Sequence, residues 1–402
     1  MPEAVIVSTA RTPIGRAMKG SLVDCRPDDL SAFAISEALR KVPNLDPKLI
    51  EDVILGCGQP AGEAGYNLGR VAAVLAGLDE VPGVTVNRYC SSSLQTIRMA
   101  AHAIKAGEGD VFVAAGVETV SRFMHGASDM GPHNPLFAAS EARTAERGPK
   151  YTSDWTPLTG ELADVYIAMG QTAENVAELK QVDRGRMDEF AALSQQRAVE
   201  SQNNGFFARE ISPVTLADGT VVSKDDGPRD GTTAEKLGAL QPVFREGGKI
   251  TAGNACPLND GAAAVVVMSD TKAKQLGITP LARIVSSGVT GLNPEIMGLG
   301  PIEACKQAMA RANMTINDID LVEINEAFAA QVIPSADELG IPWEKLNVKG
   351  GSIALGHPFG MTGARIMTTL LNALEDEGKT FGMESMCVGG GQGMAMIVER
   401  LS

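Results

Sequence analysis

The feature that most constrains this chain is an order of elements that occurs twice. In the first half, Pro27-Asp28-Asp29 opens a helical stretch whose apolar residues Leu30, Phe33, Ala34, Ala38 and Leu39 recur on one face. Asn44-Leu45-Asp46-Pro47 then caps a short turn leading into the strand Asp52-Val53-Ile54-Leu55-Gly56. Beyond residue 300 the order returns. Pro301-Ile302-Glu303-Ala304 opens a helix, Thr315-Ile316-Asn317-Asp318 caps the next turn, and Asp320-Leu321-Val322-Glu323-Ile324 is a strand. The parallel continues deeper into each half. A β-branched run ending at Val86 turns at Cys90 into a helix from Leu94 onward, and Gly107 leads to the strand 111–115. Its counterpart runs from Asn347-Val348-Lys349-Gly350-Gly351 through Gly356-His357-Pro358, the helix 363–375 and Gly378 to the strand 383–388. Helices alternating with apolar strands specify an α/β fold, and the recurrence predicts two duplicated α/β halves. Paired about a pseudo-twofold axis, the halves would bring the Cys90 and His357 turns together.

Residues 122–248 break this pattern with Pro, Gly and Asn punctuation and two helix candidates, 172–178 and 186–201. They read as a loop domain inserted in the first half, and long excursions of this kind often bind ligands. The expected division is an N-terminal half of 1–121 and 249–272, the insertion 122–248, and a C-terminal half of 273–402. Within the insertion, Lys224-Asp225-Asp226-Gly227-Pro228-Arg229-Asp230 reads as a solvated loop.

Several classes of function are set aside by composition. A net charge of −14 argues against nucleic acid as the main partner, because phosphate binding wants a basic surface. No apolar run is long enough to span a bilayer, so no membrane role is expected. The start Met-Pro-Glu-Ala-Val-Ile-Val carries no basic leader, which makes a cytoplasmic location the expectation. The six cysteines, Cys25, Cys57, Cys90, Cys256, Cys305 and Cys387, form no CxxC pair and have irregular gaps. Neither a metal site nor a disulfide framework is expected from them, which leaves buried or reactive thiols.

Cys90 is followed by Ser91-Ser92-Ser93 at a strand-to-helix turn. Free N–H groups and the helix dipole would there lower a thiol from about 8.5 towards neutrality. The competing reading is a buried structural cysteine. Acyl chemistry on a thiolate needs a nucleophile, a base, donors for the oxyanion and an acid for the leaving group. Cys90 and His357 suit the first two roles. Asn325 in Asn325-Glu326-Ala327-Phe328 offers an amide, and Gly389-Gly390-Gly391 can present backbone N–H groups. Cys387 is a second thiol, placed to move a proton near neutral pH. Singly, His357 reads as a structural histidine and Asn325 as a helix cap. The glycine run also resembles a dinucleotide turn, but the chain ends at Ser402 without room for the helix and strand that motif needs.

Taken together these segments resemble the thiolase family. The matching stretches are 86–94 around Cys90, 251–261 (TAGNACPLNDG), 323–331 (EINEAFAAQ), 350–363 (GGSIALGHPFGMTG) and 387–393, in the family's order across almost the whole chain. The resemblance implies the thiolase fold, two duplicated halves in a five-layered αβαβα arrangement with an inserted loop domain, assembled as a homodimer or homotetramer. It implies an acyltransferase that cleaves 3-oxoacyl-CoA with coenzyme A to acetyl-CoA and a shortened acyl-CoA, or condenses in reverse. Coenzyme A is then a co-substrate and no cofactor is permanently bound. By motif, Cys90 resembles the acyl-accepting nucleophile, His357 its activator, and Asn325 the residue that positions a water in one oxyanion hole. Cys387 resembles the acid/base acting on the acetyl-CoA enolate, and the N–H groups of Cys90 and Gly389 the second oxyanion hole. Arg229 resembles the arginine near the adenine of CoA, with Ala252, Cys256, Met169 and Ala327 along the pantetheine and acyl end.

Two departures from the family pattern bear on substrate. Ile167-Ala168-Met169-Gly170 has alanine where the acetoacetyl-CoA-specific branch typically carries histidine, and Asn87 to Gln95 reads closer to the degradative branch. Both favour a longer acyl chain over an acetoacetyl-CoA-specific acetyltransferase. Cys256 stands where the family usually has a CoA-contacting serine, a weaker hydrogen-bonding group. A non-catalytic acyl-CoA binding protein would require a missing catalytic residue, and none is missing.

Overall fold

The computed structural model describes residues 2–148, 152, 155–157 and 159–402. Its main sheet follows one path through β1 (Ala4–Arg11), β2 (Asp52–Cys57), β3 (Gly83–Val86), β4 (Val111–Thr119), β5 (Asn259–Ser269), β6 (Ala282–Gly291), β7 (Leu321–Ile324), β8 (Phe381–Val388) and β9 (Gln392–Arg400). The spatial order is β7-β8-β9-β6-β1-β5-β4-β2-β3, with Gly15–Arg16 added on β5.

The duplication is visible in how the strands pair. Outward from the middle, β1–β5 and β5–β4 are antiparallel, and β4–β2 and β2–β3 are parallel. On the other side, β6–β9 and β9–β8 are antiparallel, β8–β7 is parallel, and a parallel bridge from Val322 to Leu346 stands where the fifth strand would be. The halves meet where β1 and β6 pair antiparallel through only Val5–Arg283 and Ile6–Ala282.

Side-chain alternation along the strands sorts the apolar residues into three cores. On β4, Phe112 and Ala114 face one core, while Val111, Val113, Ala115 and Val117 face another. On β8 and β9, Met386, Val388, Met394 and Met396 join the core of Phe112, whereas Met383, Cys387, Ala395 and Ile397 face a third. The shared core holds Leu94, Ile97 and Ile104 of α3 (Ser92–Ala106) and Ala364, Met367 and Leu370 of the helix Thr362–Asp376. Both helices therefore lie between the half-sheets. The helices Pro27–Arg40 (α1) and Leu68–Leu75 (α2) cover the outer face of the first half. Gly300–Ala312 and Ala329–Leu339 cover the outer face of the second. This is the five-layered αβαβα arrangement expected. Each fully buried Leu or Ile in the shared layer contributes roughly 1.5–3 kcal/mol relative to exposure. Burial therefore holds α3 in place without a side-chain cap at Ser91.

Three features differ from the sequence reading. The strands β6 and β9 had no counterpart in it. The helices Met169–Leu179 (α4) and Arg184–Asn203 (α5), near the two expected helix candidates, pack Ala173, Ala177, Met187 and Phe190 onto the outer core of the second half. The insertion thus interrupts one half in sequence and covers the other in space. Finally, the stretch 224–230 is not a free solvated loop. Asp225 is 5% exposed and accepts both terminal nitrogens of Arg11, at 2.8 and 2.9 Å, and the N–H of Ile14 at 2.7 Å. A guanidinium buried at the end of β1 requires such partners, and Asp225 shares the task with Glu210. With α6 (Gly300–Ala312), α7 (Ala329–Leu339) and α8 (Thr362–Asp376), the labelled helices are complete.

Candidate active site

Cys90 lies in a 3-10 turn, Tyr89–Ser91, between β3 and α3. Tyr89 has a φ of +41°, and its N–H bonds Asn87 Oδ1 at 2.8 Å, which holds the turn in a conformation uncommon for a non-glycine residue. The backbone N–H groups of Gly389 and of Cys90 itself act on the thiol in the direction of the thiolate. Burial nevertheless outweighs these donors and pushes the thiol up to about 11. The expected lowering towards neutrality is therefore overturned: the helix terminus supplies donors, but the desolvated thiolate costs more than they return. Cys387, at the end of β8, is held well above the ordinary thiol range by burial, with Cys90 and Cys256 adding to the effect. Cys387 is therefore a protonated thiol at neutral pH.

His357 arrives from the other half. Its N–H donates to Asn259 Oδ1 at 3.0 Å, so a residue at the start of β5 fixes the backbone of the His357 turn. Gly356 has a φ of +115°, and a Cβ there would meet the Asn259 side chain at 2.5 Å. The ring's protonation follows from its partners. Thr362 Oγ1 donates to the Pro358 carbonyl at 2.7 Å, so at 2.6 Å from His357 Nδ1 it must accept. Nδ1 carries the hydrogen and Nε2 the lone pair, which faces Asn325 Nδ2 at 3.2 Å. Burial, reinforced by Arg365, lowers the imidazole to about 3, so it is neutral at physiological pH.

Asn325 is itself oriented. Its Oδ1 accepts from Ser352 Oγ at 2.5 Å, and Ser352 Oγ accepts from Arg365 Nη2 at 3.0 Å. The next residue, Glu326, binds Ser194 of α5, Asn347 Nδ2 and the N–H of Ile353, tying the insertion and the Gly350–Gly351 turn to the Asn325 segment. Glu118, at the end of β4, accepts the N–H groups of Gly58, Gln59 and Gly360 at 2.8, 3.2 and 3.0 Å. It thereby pins the loop after His357 to the first half, and burial raises it to about 7. The two central helices are joined at their first turns by Ala364 N–H on Ser93 Oγ, 2.9 Å.

The structure thus gathers Cys90 with Gly389, Cys387 and Cys256, and His357 with Asn325. Met169 and Cys256 pack against the same outer core as Cys387, Ala327 and Phe328, and Cys256 N–H bonds the Ala327 carbonyl at 3.0 Å. Cys256 is only part-exposed and its thiol is raised by burial, with Cys90 and Glu326 adding to it. Ala252 is exposed, and Arg229 donates its backbone N–H to Gln195 Oε1 at 2.8 Å on α5. Ser352, Thr362, Asn259, Glu118 and Arg365 were not singled out by the sequence reading. Ser352 and Thr362 lie inside the 350–363 motif and Asn259 inside 251–261, which was the available signal; Glu118 lies in no such motif, and its bond to Gly360 joins the two halves. Among the described residues no His/Cys/Asp/Glu group is placed to hold a metal ion.

A thiol beside backbone N–H groups, a neutral imidazole with Nε2 unprotonated, an amide and a second thiol can carry out acyl transfer. Relatives fit this chemistry. The profile described as "Thiolase, N-terminal domain" matches residues 4–271 and "Thiolase, C-terminal domain" residues 278–400. The beta-ketoadipyl-CoA thiolase of Acinetobacter baylyi is 43% identical over 410 residues, covering 100% of both chains. The 3-ketoacyl-CoA thiolase of Bacillus subtilis is 42% identical over 412 residues, covering 99% of this chain and 100% of that one. The dimeric peroxisomal thiolase of Saccharomyces cerevisiae superposes with a TM-score of 0.88 at 36% identity, covering 100% of this chain and 98% of that one. The acetyl-CoA acetyltransferase of Bacillus anthracis superposes with a TM-score of 0.86 at 39% identity, covering 100% and 99%. With both halves matched end to end, and with the same fold in solved relatives, this chain belongs to the thiolase family, whose members are acyltransferases.

Proposed function

We propose that the enzyme cleaves 3-oxoacyl-CoA with coenzyme A to acetyl-CoA and a shortened acyl-CoA, and runs the reverse condensation, through an acyl-Cys90 intermediate. The observation that carries this reading is a buried Cys90 thiol acted on by the Gly389 N–H, in a site whose histidine is held neutral with Nε2 unprotonated. With Cys90 near 11 and His357 near 3, no thiolate–imidazolium pair is formed in advance. Proton transfer from Sγ to Nε2 therefore accompanies attack of Sγ on the C3 carbonyl. The tetrahedral oxyanion takes hydrogen bonds from the N–H groups of Cys90 and Gly389. Cleavage of the C2–C3 bond leaves the acetyl-CoA enolate, whose oxygen is met by His357 and by a water on Asn325. The protonated Cys387 delivers a proton to C2, releasing acetyl-CoA. Coenzyme A then loses its thiol proton to Cys387, its sulfur attacks the acyl group, and His357 returns its proton to Cys90. A thiol kept well above its ordinary range suits Cys387 to the acid role, because it stays protonated until the enolate forms.

Arg229, Ala252, Cys256, Met169 and Ala327 line the CoA path in this reading, along the insertion 122–248. The small Ala168 beside Met169 leaves room for acyl chains longer than acetoacetyl. Six free thiols suit a reducing cytoplasm. The edge strand β3, part-exposed along its length and flanked by Tyr66 at 90% exposure, suits pairing with a second copy, in a dimer or a tetramer built from dimers. Purified enzyme given acetoacetyl-CoA and coenzyme A should consume the enolate absorbance, and no consumption would refute the reaction. A chain-length series should favour longer 3-oxoacyl-CoA substrates; activity confined to acetoacetyl-CoA would refute the branch. Light scattering should report a dimer or tetramer, and a monomer at micromolar concentration would refute the assembly.

A further inference from the structure

Away from the Cys90 end of α3, the helix turns Arg98, His102 and Lys105 into a cavity of about 350 Å3. Spacings of four and three residues put these side chains on one face. The opposite wall is Ile284 to Ser287 of β6 with Met396 of β9, and Arg311 reaches in from the end of α6. The space lies at the seam of the duplication, where β6 continues past Arg283 after leaving β1.

The charge in this cavity is uncompensated. Arg98 Nε donates to Ser287 Oγ at 3.2 Å and Arg311 Nη1 to the Ser287 carbonyl at 2.7 Å, so two guanidiniums converge on one neutral residue. Among the described residues no carboxylate pairs with Arg98, His102, Lys105 or Arg311. Arg11, Arg122 and Arg245 each face a carboxylate at 2.6–2.8 Å, whereas Arg98 and Arg311, like Arg88 and Arg197, meet only neutral groups. In a chain with 49 acidic and 35 basic residues, a cavity of three cations and an imidazole reverses the overall sign. Burial lowers Arg98, with Arg88 and Arg311 adding to it; burial lowers His102, with Arg98, Lys105 and Arg311 adding to it. The charged groups that act on both are thus cations.

We propose that this cavity binds the polyphosphate of a nucleotide. Paired guanidiniums recognise phosphate oxygens through two parallel N–H bonds, and an ammonium and an imidazole complete a cradle for more than one phosphate. The apolar back wall of Ala101, Ile284 and Met396 favours a ligand with a ribose or base over inorganic phosphate. The diphosphate could belong to a free nucleotide or to a second coenzyme A, and the two are separable by titration. None of these residues belongs to the proposed acyl or CoA path, so the site stands apart from the thiolase reaction.

The test is calorimetric titration of the assembled enzyme with ATP, with pyrophosphate, and with coenzyme A, the first two repeated with coenzyme A saturating the catalytic site. One saturable ATP site per chain should persist under saturating coenzyme A and weaken as salt rises. A second coenzyme A site per chain, with ATP displaced at high coenzyme A, would name coenzyme A as the source of the diphosphate. The Arg98→Gln/Arg311→Gln double variant should lose at least tenfold in ATP affinity with unchanged thiolytic rate and melting temperature. Absence of saturable binding, or binding undiminished in the variant, overturns the proposal. So does a variant that falls to a smaller assembly by light scattering when the parent binds no ATP, because the cations would then pair with carboxylates of a second copy.

Discussion

The turns that carry Cys90 and His357 stand at equivalent places in the duplicated halves, yet they are held differently. Backbone N–H groups, its own and that of Gly389, are what act on the Cys90 thiol. Side chains surround the His357 ring: Thr362 on Nδ1 and Asn325 on Nε2, with Asn259 on the main chain. The difference suits the roles proposed for each. An acyl acceptor needs donors aimed where an oxyanion develops, and backbone N–H groups are rigid and cannot titrate. A base needs one tautomer, which only a directional partner on the far nitrogen can select. Burial drives the two in opposite directions, thiol up and imidazole down, and leaves both neutral. Each turn is also completed by the other half, Gly389 reaching Cys90 and Asn259 reaching His357.

Substitutions can break the comparison in turn. Cys90→Ala should remove acyl transfer by more than about 10⁴-fold while coenzyme A still binds by calorimetry; full activity would sink the nucleophile assignment. His357→Ala should cost about 10²–10⁴-fold in kcat, the range for a lost general base. A variant retaining more than a tenth of the rate would mean that another group takes the Cys90 proton. Glu118 tests the joint between halves. Its folded value of about 7 lies above the ordinary 4.5, so its contribution to stability is complete below pH 4.5 and is lost as pH rises through 7. That swing is on the order of 3 kcal/mol. Chemical denaturation of Glu118→Gln should show a flatter pH profile than the parent between pH 5 and 8, and parallel profiles would contradict the assignment. Ser352→Ala removes the hydroxyl between Arg365 and Asn325 and should lower kcat about tenfold, the loss of one net hydrogen bond near 1.4 kcal/mol. An unchanged kcat would show that Asn325 needs no such brace.

Much of this was legible in the residues themselves. The order helix, turn, strand, Cys or His, helix, strand recurs closely enough to announce two halves, and 251–261, 323–331 and 350–363 carry enough local identity to reveal the chemistry. The strands β6 and β9 were less legible. Ala282–Gly291 mixes serines and glycines into its pattern, and the glycine run before Gln392 reads as the end of structure rather than as a tight turn into a last strand. Their strand character comes from pairing with each other and with β8 and β1, which no local pattern records.

The linear chain determined the αβαβα class and singled out Cys90, Asn325, His357 and Cys387 as the candidate set, because periodicity and motif are properties of neighbours in sequence. It also suggested that a helix terminus would acidify Cys90, and there only the tertiary structure could decide. A pKa depends on how much water the fold removes, and the enclosure around Cys90 is built in part by β8 and α8 of the second half. Those surfaces come from residues hundreds of positions away, so desolvation, tautomer and the sign of each shift exist only once the halves have closed on one another.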